Sequence, residues 1–123
     1  MSMQAKIGVL GASPKEERYS NKAVKMLLEK GYKVIPIHPQ AKEVEGLAVV
    51  KNLQSISEKI DTLSIYVAGD ALENMSSNIV DLAPRRVIFN PGTENDQLKQ
   101  LLENNNIETI NACTLVLLRT GQF

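Results

Sequence analysis

Apolar residues along this chain alternate between two periods. Short, nearly continuous apolar runs occupy residues 5–10, 33–37, 62–67, 86–89 and 107–111, a pattern that suits strands buried on both faces of a parallel sheet. Between them, apolar side chains recur three and four residues apart: Ala23, Val24, Leu27 and Leu28 in 21–30, Leu72, Met75, Ile79 and Leu82 in 71–82, and Leu98, Leu101 and Leu102 in 95–104. That spacing predicts three helices with these side chains turned inward. Ser20 is placed to cap the first helix and Gly31 to end it, Pro84 ends the second, and residues 114–119 predict a closing helical turn or two. The segment after His38 is less regular: a polar loop to Gly46, a short β-like piece over 47–50 and a weakly helical stretch around 55–59.

Strand, helix and strand in regular succession predict an α/β domain, Rossmann-like and doubly wound. Its sheet is mostly parallel, with five or six strands and helices on both faces. One domain spans residues 1–123. In such sheets ligands collect at the carboxyl ends of the strands, so residues 11–21, 36–42, 67–71 and 90–93 are predicted to meet at one crevice.

Composition narrows the ligand. Fourteen Lys and Arg balance fourteen Asp and Glu, which leaves no broad basic field for nucleic acid or anionic lipid, so any anion site is local. Aromatic residues make up 4% of the chain and Trp is absent, which disfavours stacking of single-stranded bases. No apolar run, that of residues 115–118 included, approaches the ~20 residues of a membrane span. Met1 to Gln4 lack the charged and apolar regions of a leader, and the expected location is cytoplasmic. One cysteine, Cys113, and one histidine, His38, argue against an internal disulfide and against a transition-metal site. Cys113 reads as a small buried side chain rather than a nucleophile.

The chemistry concentrates after the first strand. Residues 7–10 run into Gly11-Ala12-Ser13-Pro14, then a charged turn, then a helix, the order that sets backbone N–H groups and a helix dipole around a phosphate. Ser13, Lys15, Arg18, Ser20 and Asn21 could add side-chain donors. Lys15 reads more readily as part of a solvated turn with Glu16 and Glu17, whereas the guanidinium of Arg18 suits bidentate phosphate binding. The dinucleotide fingerprint is incomplete: Ser13 stands where a second loop glycine is expected, and His38-Pro39-Gln40 end the second strand without an acid for the ribose hydroxyls. This counts against NAD, although Lys42 could suit a phosphate-bearing ribose, and an NAD(P)-binding oxidoreductase-like domain stands as the alternative from the enzyme class. A Walker sequence is absent. A ligand-free regulatory module that oligomerises through residues 115–118 is a further alternative.

Taken together, Gly11-Ala12-Ser13 with Arg18, Ser20 and Asn21, the stretch Gly31-Tyr32-Lys33-Val34-Ile35-Pro36-Ile37-His38-Pro39, Ile65-Tyr66-Val67-Ala68, and Gly92-Thr93-Glu94-Asn95 resemble the small CoA-binding proteins built on the nucleotide-binding domain of the succinyl-CoA synthetase α subunit. The resemblance spans nearly the whole chain. It implies a CoA or acyl-CoA ligand whose pyrophosphate lies on the Gly11 to Ser13 loop. Lys15, Arg18 and Lys42 are then candidates for the phosphates, and His38, Pro39, Val67 and Ala68 flank the adenosine. His38 replaces an asparagine usual in the family, which leaves its hydrogen bond open. Ligases of the parent family use a phosphorylated histidine in a second domain; neither is found here, and no catalytic residue is expected. The implied role is binding, alone, as a homo-oligomer or with a separate protein partner.

Overall fold

The computed structural model describes residues 5–123; the expectation drawn from Met1 to Gln4 lies outside them. Five parallel strands form the sheet: β1 (Lys6–Leu10), β2 (Lys33–Ile37), β5 (Thr62–Ile65), β6 (Arg86–Phe89) and β7 (Glu108–Asn111). Their order is β2-β1-β5-β6-β7, so strand order reverses on either side of β1, and the switch point falls between β1 and β5. Register places Ile7 beside Val34 on one flank and Thr62 on the other. The sheet is thus the five-stranded, Rossmann-like arrangement the alternation predicts.

Two apolar layers cover it. Ile7, Val9, Val24, Leu27 and Leu118 cluster on one face, under α1 (Tyr19–Glu29) and α5 (Thr114–Arg119), which pack together. Leu10, Leu63, Ile65, Ile79, Phe89, Leu98 and Leu102 cluster on the other, under α2 (Gly69–Glu73), α3 (Ser76–Leu82) and α4 (Asp96–Asn104). Successive residues of β1 feed opposite clusters, the period-two alternation of a strand buried on both sides. Gly8 belongs to the second face: a Cβ there would lie 2.9 Å from Leu63 Cδ1, so the missing side chain is the space Leu63 fills.

Local differences from the predicted elements have physical causes. The helix expected over 71–82 is two: Asn74 closes α2, Met75 opens α3, and the Met75 N–H donates to Leu72 O, a three-residue closure that interrupts the α-helical ladder. α3 ends at Ala83, in the left-handed region at φ 52°, before Pro84. Leu98 and Leu102 of α4 are buried, but Leu101 is 39% exposed; positions four apart stack on one line and leave Leu101 at the margin of the stripe. The helix around 55–59 is replaced by a 3-10 turn, Leu53–Ser55, capped by the Asn52 side chain. Residues 43–48 form a hairpin, β3 (Glu43–Val44) against β4 (Leu47–Ala48), turning through Glu45 and Gly46, both at positive φ, as a two-residue type I′ turn requires. Among the described residues no helix is long and apolar enough to cross a membrane.

Candidate functional site

The exit of β1 is shaped by Gly11. Its φ is +88°, and a Cβ there would lie 2.8 Å from Val67 Cγ2 and 3.3 Å from the carbonyl of Tyr66. Only glycine lets the two strand ends on either side of the switch point approach this closely. The Gly11 and Ala12 N–H groups both donate to Ile37 O, at 2.9 and 3.2 Å, which ties the loop to the end of β2.

The next turn is held from inside the protein. Arg18, not Ser20, takes the N-cap position of α1, with extended backbone and no side-chain cap bond. Ser20 lies one residue into the helix, buried, and its Oγ accepts from the Ser13 N–H at 3.2 Å. Ser13 Oγ in turn accepts from the Lys15 N–H at 3.1 Å. Asn21 is fully buried; its Nδ2 donates to Ser13 O at 2.9 Å and to Glu45 Oε2 at 3.1 Å, and its Oδ1 has no partner. Ser20 and Asn21 therefore brace the loop, and Ala12 is packed into the core. What faces outward is the start of α1 with the exposed side chains of Lys15 and Arg18. Neither side chain belongs to an ion pair among the described residues.

Three cavities adjoin along this edge. The largest, 710 Å³, is lined by Gly11, Ser13, Lys15, Arg18, Ser20 and His38 of the predicted residues, together with Tyr19, Gln40 and Tyr66. A 180 Å³ slot lies beside it, sharing Gly11 and His38 and including Pro39, Val67 and Met75. On the other side a 350 Å³ cavity shares Tyr19 and Tyr66 and includes Asn90 and Cys113. Lys42 lines none of the three; it is exposed, and its carbonyl accepts from the Val49 N–H beside the β3–β4 hairpin. Ala68 also stands outside them, as the residue preceding α2.

His38 holds the turn that follows β2. Its Nδ1 accepts from the Gln40 N–H at 3.1 Å and the Ala41 N–H at 3.0 Å, as a side-chain carbonyl would in a turn of this kind. That places the ring proton of the neutral imidazole on Nε2.

Tyr66 is the residue that sequence reasoning passed over in favour of its neighbours Val67 and Ala68. Its place one residue past β5 was the available signal. Its hydroxyl is buried without a partner at full hydrogen-bond geometry, beside the hydroxyls of Thr114 and Ser64, which belong to a buried network: Ser64 Oγ and Thr114 Oγ1 are 2.8 Å apart, Asn90 Nδ2 donates to Ser64 Oγ and to Ile65 O, and the Thr114 N–H donates to Asn90 Oδ1. Burial pushes the Tyr66 phenol up to about 12, so it is a neutral wall of the site at physiological pH. The Asn90 to Thr93 segment works as a turn, with Thr93 donating back to Asn90 O. Cys113 is half-buried rather than buried.

The profile of a family described as a CoA binding domain matches residues 5–119. The chain belongs to the CoA-binding domain family. Its fold is shared with the crystal structure of an uncharacterized protein, at 37% identity and a TM-score of 0.92, over 99% of this chain and 100% of that one. An uncharacterized protein of Bacillus subtilis, YneT, is 24% identical over 98 residues, 80% of this chain and 73% of its own. The same fold forms one part of a dinucleotide-forming acetyl-coenzyme A synthetase of Ca. Korarchaeum cryptofilum. The likeness has a TM-score of 0.74 at 21% identity and covers 88% of this chain but 25% of the synthetase. Lys15 and Arg18, which enter no ion pair among the described residues, line the largest cavity, and the slot beside His38 adjoins it.

Proposed function

We propose that this protein is a non-catalytic binder of CoA or an acyl-CoA. The observation that carries the reading is the row of adjoining cavities. A slot walled by Pro39 and Val67, a wide cleft bearing Lys15 and Arg18, and a further cavity beyond Tyr66 follow the order of adenosine, pyrophosphate and pantetheine in the ligand. Arg18 and the start of α1 take the pyrophosphate, with Lys15 as a second cation, and His38 and Pro39 border the adenosine. The Gly11 to Ser13 loop acts by shape, since its amides at 11, 12 and 13 are spent inside the protein.

The absence of catalysis is supported by the state of two titratable groups that line the cleft, His38 and Tyr66. The His38 Nδ1 is engaged by two backbone amides, and the Tyr66 phenol stays protonated, so neither is poised as a general base. Calorimetric titration with CoA, acetyl-CoA, NAD and NADP tests the reading. Saturable binding of the two CoA species with no free thiol released from acetyl-CoA is expected. No heat with either CoA species overturns it, as does tighter binding of a nicotinamide cofactor.

A further inference from the structure

Resting on that reading, we infer that the rings of Tyr19 and Tyr66 form a neck crossed by the pantetheine arm, and that Tyr19 makes the site selective for pantetheine-bearing nucleotides over bare adenine nucleotides. Among the described residues, these two are the ones that line both the 710 Å³ cleft and the 350 Å³ cavity. A ligand that extends from one space into the other therefore passes along both rings.

The two rings differ in kind. Tyr66 follows β5 at the switch point and its hydroxyl is buried, so the part of it that lines the two spaces is the ring, a fixed wall. Tyr19 opens α1 and is 69% exposed, more than Leu28, Leu101, Ile110 or Val116. Lys22, one turn further along α1, sets its Nζ 5.5 Å from the Tyr19 ring centroid, within the ~6 Å of a cation–π contact, and this favours the ring's place at the mouth of the cleft. Apolar surface left in water is a driving force for whatever covers it. The pantetheine arm has the matching surface, a dimethyl-substituted carbon and methylene groups between amides. A bare nucleotide ends at its phosphate, inside the cleft, and leaves Tyr19 in water. The cations draw no such distinction: Lys15 and Arg18 attract the phosphates of any adenine nucleotide as they attract those of CoA. Selectivity therefore has to come from beyond the phosphates, and the neck is the first surface met there.

The test is calorimetric titration of the wild-type protein, Tyr19→Ala and Tyr19→Phe with CoA, ADP and 3′-phospho-ADP, the last being CoA without its pantetheine arm. The wild type should bind CoA about tenfold or more tighter than either nucleotide. Tyr19→Ala should remove most of that margin while 3′-phospho-ADP affinity stays within about twofold, which also shows that the variant is folded, and Tyr19→Phe should keep the margin. Equal affinity of the wild type for CoA and either nucleotide overturns the neck and leaves the CoA reading intact. An unchanged margin in Tyr19→Ala, or an equal loss for CoA and 3′-phospho-ADP, also overturns it, because Tyr19 would then miss the arm or act through the start of α1. Loss of the margin in Tyr19→Phe overturns it as well, since the ring is still in place. Failure of CoA to bind the wild type removes both readings together.

Discussion

The two ends of the sheet treat charge in opposite ways. At the amino end, charges are tied to one another: Lys6 pairs with Glu58 at 2.8 Å, and Arg85 grips Asp61 through two bonds of 2.8 and 3.1 Å while reaching Glu108 at 3.7 Å. The Arg86 guanidinium there lies 4.7 Å over the ring of Phe123. At the carboxyl end Lys25 pairs with Glu16 at 3.0 Å, but Lys15, Arg18, Lys22, Lys42 and Arg119 enter no ion pair among the described residues, and four of them line cavities. A chain of zero formal net charge thus keeps several cations without an ion partner where the start of α1 already favours an anion. Paired charges serve the fold; unpaired cations in a cleft are available to a ligand.

The strongest way to break this contrast is at the backbone. Gly11→Ala forces a side chain onto a φ of +88° and into Val67 and the Tyr66 carbonyl; it should cost about 1–3 kcal/mol in a denaturant melt and abolish CoA binding in titration. Gly31, at φ +89° with open space around it, is the control: Gly31→Ala should cost about 1 kcal/mol and leave CoA affinity unchanged. Next in size is Arg18→Gln. Loss of its charge-assisted hydrogen bonds, each about 1.5–3 kcal/mol, should weaken CoA binding roughly tenfold to a hundredfold, with stability held within about 0.5 kcal/mol.

The smallest effect belongs to the amino end. The hydrogen bond from Arg85, with one from Thr62, holds the Asp61 carboxyl below its ordinary value. The folded state therefore favours the ionised form; that stabilisation is complete above the ordinary carboxylate range and is lost as pH falls through the lowered folded value. Asp61→Asn should cost about 1 kcal/mol at pH 7, the gap to wild type should close below about pH 4, and CoA affinity should not move. A change in CoA binding in that variant would erase the division between the two ends.

Much of this was legible in the chain. The two apolar periods identified the five strands of the sheet and the helices between them, and the small-residue exit of β1 marked the cleft. The predicted residues Gly11, Ser13, Lys15, Arg18, Ser20 and His38 do line one cavity, with Pro39 and Val67 in the slot beside it. Ala12 and Asn21 are instead buried supports, and Lys42 and Ala68 lie outside the three cavities. Asn21 shows why: its partner Glu45 is 24 residues away, on a hairpin whose two-residue turn no apolar period announces. Tyr66 lay within the segment Ile65-Tyr66-Val67-Ala68 but was given no role of its own, and its weight comes from lying between two cavities whose other walls include residues of α1 and α5.

The sequence by itself determined the layers and the small-residue loop that closes the first strand. Hydrophobic periodicity and a glycine at a strand end are local properties, expressed wherever the segment is buried. Only the tertiary structure decided which polar groups are spent inside the protein and which remain free. The partners of Asn21 and Asn90 are set by segments 24 or more residues along the chain, and no local pattern encodes them.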